Sequence, residues 1–172
     1  SNFSQCNAEV VNMTNRFAPI LFQSNAGVSA LILRVPVGVI LAAHGAQKLF
    51  GSFGGYGLQG TGEWMASIGL APGLLMAVLA GSAEFFGGLA LVLGVLTRPA
   101  AFVSAFTMLV ALFAVHIGNG LFMSNNGYEY ALTLLAATLA LSVQGAGRLS
   151  VDNVLYERSV RVEGQPSVAP VR

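Results

Sequence analysis

Charged residues are scarce in this sequence. Only 9% of the 172 residues are Asp, Glu, Lys or Arg, whereas 55% are hydrophobic, and the mean hydropathy is +0.71. Soluble domains carry about 25% charged residues, so this chain has too few to cover a water-exposed surface of its size. The deficit excludes an ordinary water-soluble fold and predicts a protein that folds within a lipid bilayer.

Other absences remove further classes of protein. The net charge is +1 and there is no basic stripe, so no nucleic-acid partner is indicated. The single cysteine, Cys6, excludes an internal disulfide, and no CxxC motif or His/Cys cluster predicts a metal site. The glycine-rich segment 51–60 lacks the GxxxxGK[ST] pattern of a phosphate-binding loop. We expect it to be either a close-packed surface loop or a lid over a polar pocket.

Four apolar runs of near-spanning length are present. A helix needs about 20 mainly apolar residues to cross a hydrocarbon core of ~30 Å, and these runs do not alternate in polarity as barrel strands do. We therefore predict an all-α fold, a four-transmembrane-helix bundle with a glycine-rich outer loop. The predicted spans are 27–50, 72–96, 99–118 and 128–145. They lie in a membrane domain, 26–148, between a polar arm, 1–25, and a tail, 149–172.

The connections between the spans differ in length. Residues 97–99 predict a tight turn, with Pro99 starting the third span. The long connection, 51–71, contains seven glycines, and within it residues 61–68 predict a short helix carrying Trp64, a residue that favours the membrane interface.

Basic residues predict the orientation of the chain. With four spans, both termini and the turn at Arg98 share one side of the membrane, and an excess of positive charge in short flanking segments marks the cytoplasmic side. That side holds six arginines and the other only Lys48; the six are Arg16, Arg98, Arg148, Arg158, Arg161 and Arg172. We predict a protein of the bacterial inner membrane with both termini in the cytoplasm.

Several ionisable residues lie inside the predicted spans, where each costs roughly 2.5–3.5 kcal/mol unless it is paired or turned inward. Glu84 falls at the middle of the second span on a face of small residues, so its carboxylate is predicted to point into the bundle. Arg34, His44 and Lys48 fall within an arc of about 80° on the first span, which predicts a polar stripe. We predict that Glu84 faces Arg34 or His44.

Together with polar residues near the outer ends of the last two spans, these side chains form the candidate site. The candidates for catalysis are Glu84, His44 and His116, those for ligand binding are Arg34, Lys48, Asn119 and Glu129, and no metal site is predicted. All of these residues except Asn119 also have a structural interpretation. Arg34 and Glu84 would form a register-fixing ion pair, and His44 and His116 would be hydrogen-bonded histidines. Lys48 would be a snorkelling lysine and Glu129 a carboxylate at a helix N-terminus.

Short motifs occur in a fixed order from about Leu33 to Leu155. They are Arg34, Gly38, KLFGSFGG at 48–55, Gly60-Thr61, EFFGG at 84–88, Gly94, Thr97-Arg98, HIGNG at 116–120 and Glu129-Tyr130. In this order and spacing they resemble the DoxX family of small bacterial membrane proteins. The resemblance implies a four-helix bundle linked to redox chemistry, because similar proteins include the membrane subunit of a thiosulfate:quinone oxidoreductase and others associated with oxidative-stress and thiol-handling enzymes.

Two functions follow as alternatives. The first is a redox-linked membrane component, an oxidoreductase or a subunit supporting a thiol or sulfur oxidoreductase, that binds quinone or quinol. His44 or His116 would donate a hydrogen bond, Lys48 would stabilise charge and Glu84 would carry protons, while a redox partner protein or bound cofactor supplies electrons. The second is a non-enzymatic scaffold or assembly subunit that docks a partner. Haem between His44 and His116 is a weaker third, and a homo-oligomer is compatible with all three.

Overall fold

The computed structural model describes Ser24 and residues 26–163, with side chains described as far as Arg158. The rest of the predicted arm and the end of the predicted tail lie outside these residues. The described part forms six α-helices and no strand; the helices are α1 Val28–Phe50, α2 Gly57–Ser67, α3 Gly73–Leu93, α4 Thr97–Ala111, α5 Glu129–Gln144 and α6 Val151–Glu163. The prediction of an all-α membrane bundle is confirmed.

Three helical rods in the described chain are long and apolar enough to cross a membrane: α1, α3 and α4. The α4 rod continues beyond Ala111 through a π-helical turn, Leu112–His116, and a 3-10 turn, Ile117–Asn119. Helix α5 has 16 residues, so at 1.5 Å per residue it is about 24 Å long, short of the hydrocarbon core. It packs extensively along α4, and the count of four spans stays a prediction.

Helices α1 and α3 form the most extensive contact in the bundle, and glycine makes that contact close. A Cβ atom on Gly45 would lie 2.3 Å from the main-chain nitrogen of Phe85, and one on Gly88 would lie 2.4 Å from that of Ala42. No larger residue fits at either position without separating the helices. The predicted small-residue face of α3 therefore allows the backbones of α1 and α3 to approach closely, as small residues do in membrane helices.

The turn between α3 and α4 lies earlier than predicted. Gly94 ends α3 in the left-handed region at φ 69°, and Leu96 precedes α4 in the same region at φ 46°. Helix α4 already begins at Thr97, so the prediction that 97–99 is the turn and Pro99 starts the helix is wrong. Pro99 fits inside the first helical turn because its missing N–H would have no partner there.

The long connection, 51–71, contains the predicted short helix. Helix α2 starts four residues earlier than expected, at Gly57, and carries Trp64. It packs mainly on α3, where a Cβ on Gly73 would lie 2.0 Å from the carbonyl oxygen of Gly62. It also contacts the end of α1, since the Thr61 hydroxyl donates a hydrogen bond of 3.5 Å to the Lys48 carbonyl. The connection is therefore a structured cap on one end of the α1–α3 pair.

Helix α6 lies in the segment 149–172, for which the sequence predicts only a polar tail. Its first turn is anchored to the α3–α4 turn by Asp152, which is 1% exposed. The Asp152 carboxylate accepts hydrogen bonds from the main-chain N–H groups of Leu96 at 2.7 Å and Thr97 at 2.9 Å, and the Asp152 N–H donates to the Gly94 carbonyl at 2.9 Å. The carboxylate thus caps the N-terminus of α4 from a different helix.

Candidate functional site

Glu84 is buried in the bundle, as predicted, but its partner is neither Arg34 nor His44. It is 2% exposed, and its Oε2 accepts a hydrogen bond of 2.5 Å from Lys48 Nζ. Helical side chains lean toward the N-terminus of their own helix. Since α1 and α3 are antiparallel, Lys48 and Glu84 lean toward each other and meet. The predictions that Glu84 faces Arg34 or His44, and that Arg34 and Glu84 form an ion pair, are wrong.

Arg34 lies at the other end of the α1–α3 pair. Although it is 2% exposed, it binds main-chain carbonyls: its Nη1 donates to Leu91 at 2.7 Å and to Val92 at 2.5 Å, and its Nη2 donates to Leu149. The Leu91 and Val92 carbonyls belong to the C-terminal turn of α3, where the helix dipole favours a cation. Asp152 adds an opposite charge within electrostatic reach. Arg34 therefore fastens helix ends together and is not part of the predicted ligand site.

His44 lies between the Lys48–Glu84 pair and Tyr130 of α5. It lies one helical turn before Lys48, half-buried, and its Nε2 is 3.4 Å from the hydroxyl of Tyr130. The two rings are 5.7 Å apart between centroids. Tyr130 is also within range of an electrostatic interaction with Glu84. The half of the bundle nearer α2 thus holds a polar cluster, which we define as His44, Lys48, Glu84 and Tyr130, contributed by α1, α3 and α5.

A cleft of about 270 Å³ opens beside Lys48. Its walls come from the last turn of α1, the glycine-rich segment and α2; the lining residues are Gln47, Lys48, Gly54, Gly55, Tyr56, Thr61 and Trp64. Of the polar cluster, Lys48 lines the cleft. Glu84 does not line it and contacts the Lys48 ammonium from the interior of the bundle. The glycine-rich segment packs closely on the end of α1 and also forms a wall of the cleft, so both interpretations of it, a close-packed loop and a lid, stay predictions.

Three further predicted site residues form a separate group that shapes the loop between α4 and α5. His116 Nδ1 is 2.9 Å from the Asn126 carbonyl, which also accepts a 3.2 Å hydrogen bond from the Asn119 side chain. Glu129 Oε1 accepts a 2.6 Å hydrogen bond from the Met123 N–H. These contacts tie the loop to itself and to the start of α5. They match the structural interpretations of His116 and Glu129.

Sequence reasoning missed the aromatic and amide groups of the site. Tyr130 carried a signal, since it follows Glu129 in one of the family motifs, but nothing in the sequence placed it beside His44. Gln47 and Tyr56 flank the KLFGSFGG motif and were not singled out. Their role depends on how the segment 51–57 folds back, and that path is set by tertiary contact: a Cβ on Gly55 would lie 2.5 Å from the Gln47 carbonyl.

Apolar side chains cover the outside of the helices. Large ones more than half exposed occur on the three long rods and on α5, among them Ile32, Val39, Phe86, Phe102, Phe106, Phe113 and Val143. Such a surface is stable only against lipid, so the bilayer is the medium that the bundle contacts.

Comparison with known proteins identifies the family. A match to DoxX covers residues 29–117. A Bacillus subtilis (strain 168) protein, CatD, whose name provisionally classes it as an oxidoreductase, is 31% identical over 130 residues, covering 76% of this chain and 89% of that protein. The Escherichia coli (strain K12) inner membrane protein YqjF is 31% identical over 137 residues, covering 76% of this chain and 95% of that protein.

A second Escherichia coli (strain K12) inner membrane protein, YphA, is 29% identical over 130 residues, covering 73% of this chain and 89% of that protein. No solved structure matches the chain. The family match and these relatives confirm the resemblance seen in the motifs, and the apolar helices agree with the location that two of the relatives' names give. The chain belongs to the DoxX family and is a bacterial inner-membrane protein.

Proposed function

We propose that this protein is a redox-linked membrane component that binds the head group of a quinone or quinol in the cleft beside Lys48. The observation that carries the proposal is the Lys48–Glu84 pair: a buried carboxylate holds a lysine ammonium at the wall of a cleft, with an N–O distance of 2.5 Å. The relative CatD, with its provisional oxidoreductase name, supports the redox class.

The size and chemistry of the cleft suit a quinone head group. Pockets that enclose a whole drug-sized ligand measure about 300–1,000 Å³, and this cleft, at about 270 Å³, suits a single substituted ring whose tail remains in lipid. Tyr56 and Trp64 supply aromatic surface that tolerates both water and lipid. Lys48 and Gln47 supply the hydrogen-bond donors that quinone oxygens require.

The residues of the site would divide the chemistry among them. Reduction of a quinone to a quinol adds two electrons and two protons, and negative charge develops on the ring oxygens. Lys48 would stabilise that charge by a charge-assisted hydrogen bond, and Glu84 would keep the ammonium in position. Because 23% of the Lys48 side chain is exposed, protons from water reach it through the cleft. The electrons come from a redox partner protein or from a cofactor that the partner carries.

Fluorescence of Trp64 gives a direct test, since Trp64 is the single tryptophan of the chain and lines the cleft. Purified protein in lipid nanodiscs would be titrated with a short-chain ubiquinone, and a bound quinone should quench the emission saturably. Lys48→Met should weaken the apparent affinity by about tenfold or more, because a hydrogen bond to a charged group contributes roughly 1.5–3 kcal/mol. Gln47→Leu should weaken it less while leaving the ion pair intact.

Arg158→Met is the matched control, because it removes a cation remote from the cleft and should leave the titration unchanged. Linear, non-saturating quenching of equal slope in all four proteins would show collision within the bilayer and would contradict the proposal.

The scaffold hypothesis predicts a different outcome. The scaffold hypothesis depends partly on glycine-faced helices that a partner protein could contact. The glycines at 38, 45, 81 and 88 lie in the close α1–α3 contact, so these four do not form a docking surface. Its remaining support is the exposed charge of the C-terminal segment. Recovery of a stoichiometric partner protein in mild detergent, with the association surviving Glu84→Ala and no saturable quinone binding, would favour the scaffold.

We also infer that both termini face the cytoplasm and that α2 lies on the outer side, from the distribution of arginine. Reporter domains fused after Arg172 and inserted near Gly120 should report opposite sides of the membrane. The same side for both would exclude four spans.

A further inference from the structure

Helix α6 begins at the depth where a membrane span ends. The main-chain N–H of its second residue, Asp152, donates a hydrogen bond to the carbonyl of Gly94, the residue that terminates α3. The Asp152 carboxylate accepts hydrogen bonds from the N–H groups of Leu96 and Thr97 at the start of α4. Just before α6, the Leu149 carbonyl accepts a hydrogen bond from Arg34, whose other partners lie in the last turn of α3. The start of α6 is therefore fixed to the end of α3, a helix whose length and apolar composition are those of a membrane span.

The helix presents three different surfaces around its axis. At 100° per residue, Asp152 and Tyr156 lie on the arc that docks against the bundle, and they are buried and half-buried. Asn153 and Glu157 lie on a second arc, where with Ser24 and Arg148 they line a polar hollow of about 500 Å³. The third arc spans about 100° and carries Val151, Val154, Leu155 and Arg158, all exposed.

The apolar side chains of the third arc are exposed in the described part of the chain: Val154 is 47% and Leu155 44% exposed. Leu149, 62% exposed, precedes it, and two further leucines are also exposed: Leu93 at the end of α3 and Leu96 just before α4. The apolar arc thus continues the lipid-facing surface of the bundle at the level where the spans end. A polar arc, an apolar arc and flanking arginine are the features of a helix that lies in the membrane interface.

We propose that α6 is an interfacial helix that lies in the head-group layer, with Val151, Val154 and Leu155 inserted among the acyl-chain ends and Arg158 on anionic phospholipid. The bilayer is the occupant because the anchored first turn sets the depth of this arc, and a basic residue amid apolar ones matches a negatively charged lipid surface. The proposal is independent of the quinone site, which is at the opposite end of α1.

Spin-label accessibility tests the position of α6 in the full-length protein. In a Cys6→Ser background, nitroxides would be attached through Val154→Cys and Leu155→Cys, with Asn153→Cys and Glu157→Cys as matched controls on the same helix. In nanodiscs containing anionic lipid, labels at 154 and 155 should collide more with oxygen than with a water-soluble nickel chelate. Labels at 153 and 157 should show the reverse. The logarithm of the ratio of oxygen collisions to nickel-chelate collisions should therefore change sign between residues 153 and 154.

Arg158→Glu should reduce the oxygen collisions at 154 and 155 in anionic bilayers and change them little in neutral ones. Two outcomes would overturn the proposal. Equal access of the nickel chelate to all four labels would place α6 in water. Protection of 154 and 155 from both reagents would show that protein, a second copy or another chain, covers the arc.

Discussion

The two ends of the α1–α3 pair stabilise buried charge in different ways. At the end near α6, Arg34 binds main-chain carbonyls and Asp152 binds main-chain N–H groups. At the end near α2, Lys48 and Glu84 bind each other. Main-chain partners are fixed by the helices and do not titrate, whereas side-chain partners can move and exchange protons. The first arrangement is suited to holding the fold and the second to taking part in chemistry, and the difference can be tested residue by residue.

The largest effect is expected from Arg34→Ala. The substitution removes the guanidinium donor from three carbonyls, of which Leu91 keeps a 3.2 Å hydrogen bond from the Gly94 N–H, and it leaves the buried Asp152 without its nearby opposite charge. Removing one partner of a buried charged interaction costs about 3–5 kcal/mol, so the apparent melting temperature in detergent should fall steeply. Saturable quenching of Trp64 by quinone should persist in whatever fraction remains folded.

Arg34→Lys is the informative control. A lysine keeps the charge but is a compact ammonium without the rigid fork of the guanidinium, so it cannot reach all three carbonyls in the same geometry. It should recover only part of the lost stability. Full recovery would show that charge alone matters at this end and would weaken the contrast with Lys48–Glu84.

A smaller loss of stability is expected from Glu84→Gln. The amide keeps the shape and one hydrogen-bond acceptor, and Lys48, being partly exposed, can turn toward water. The cost should be about 1–3 kcal/mol, the range for leaving a buried hydrogen-bonding group poorly satisfied. If Glu84 only positions Lys48, quinone affinity should fall in parallel with Lys48→Met. If Glu84 also carries protons, any quinone-dependent turnover should disappear in the protein that remains folded, even at saturating quinone.

The double variant Lys48→Met/Glu84→Gln separates the pair from its surroundings. If the two residues act mainly on each other, the stability losses of the single variants should not add, and the coupling energy should be about 0.5–3 kcal/mol. Additive losses would mean that each side chain has other partners of equal weight, which would remove the basis for treating the pair as the centre of the site.

Much of the fold could be predicted from the sequence, since run length and hydropathy identify the spans, and Glu84 in a small-residue face indicates burial. The partners of Glu84 were predicted wrongly because the periodicity of α1 gives the face of each residue but not the direction of its side chain. Arg34 leans toward the start of α1 and Glu84 toward the start of α3, so in an antiparallel pair they diverge. That argument was available from the sequence.

Other features were not available from the sequence. Helix α6 has too few apolar residues to be detected by hydropathy, and its position depends on Asp152 reaching a turn 55 residues earlier in the chain. The separation of His116 from His44 is likewise a matter of tertiary structure. Each histidine lies near the end of an apolar run. His44 nevertheless contacts Tyr130, whereas His116 contacts the loop carbonyl of Asn126.

An intermediate effect at the Arg34 end is expected from Asp152→Asn. The amide offers one acceptor where the carboxylate offers two, and it loses the favourable interaction with the N-terminus of α4. Loss of a helix cap costs about 0.5–2 kcal/mol, measurable as a moderate fall in melting temperature. Glu157→Gln, on the polar arc of the same helix, should leave the melting temperature unchanged. Equal effects of the two substitutions would contradict the capping role.

The smallest effect is expected from Tyr130→Phe, which removes one hydroxyl and keeps the ring. At 3.4 Å the contact with His44 is long, so the stability loss should be about 0.5 kcal/mol, the low end for a hydrogen bond. Since Tyr130 does not line the cleft, quinone affinity should change by about twofold or less. A loss of affinity as large as that of Lys48→Met would move the ligand toward His44 and Tyr130, and a loss of stability approaching that of Arg34→Ala would make the polar cluster a structural element like the Arg34 end.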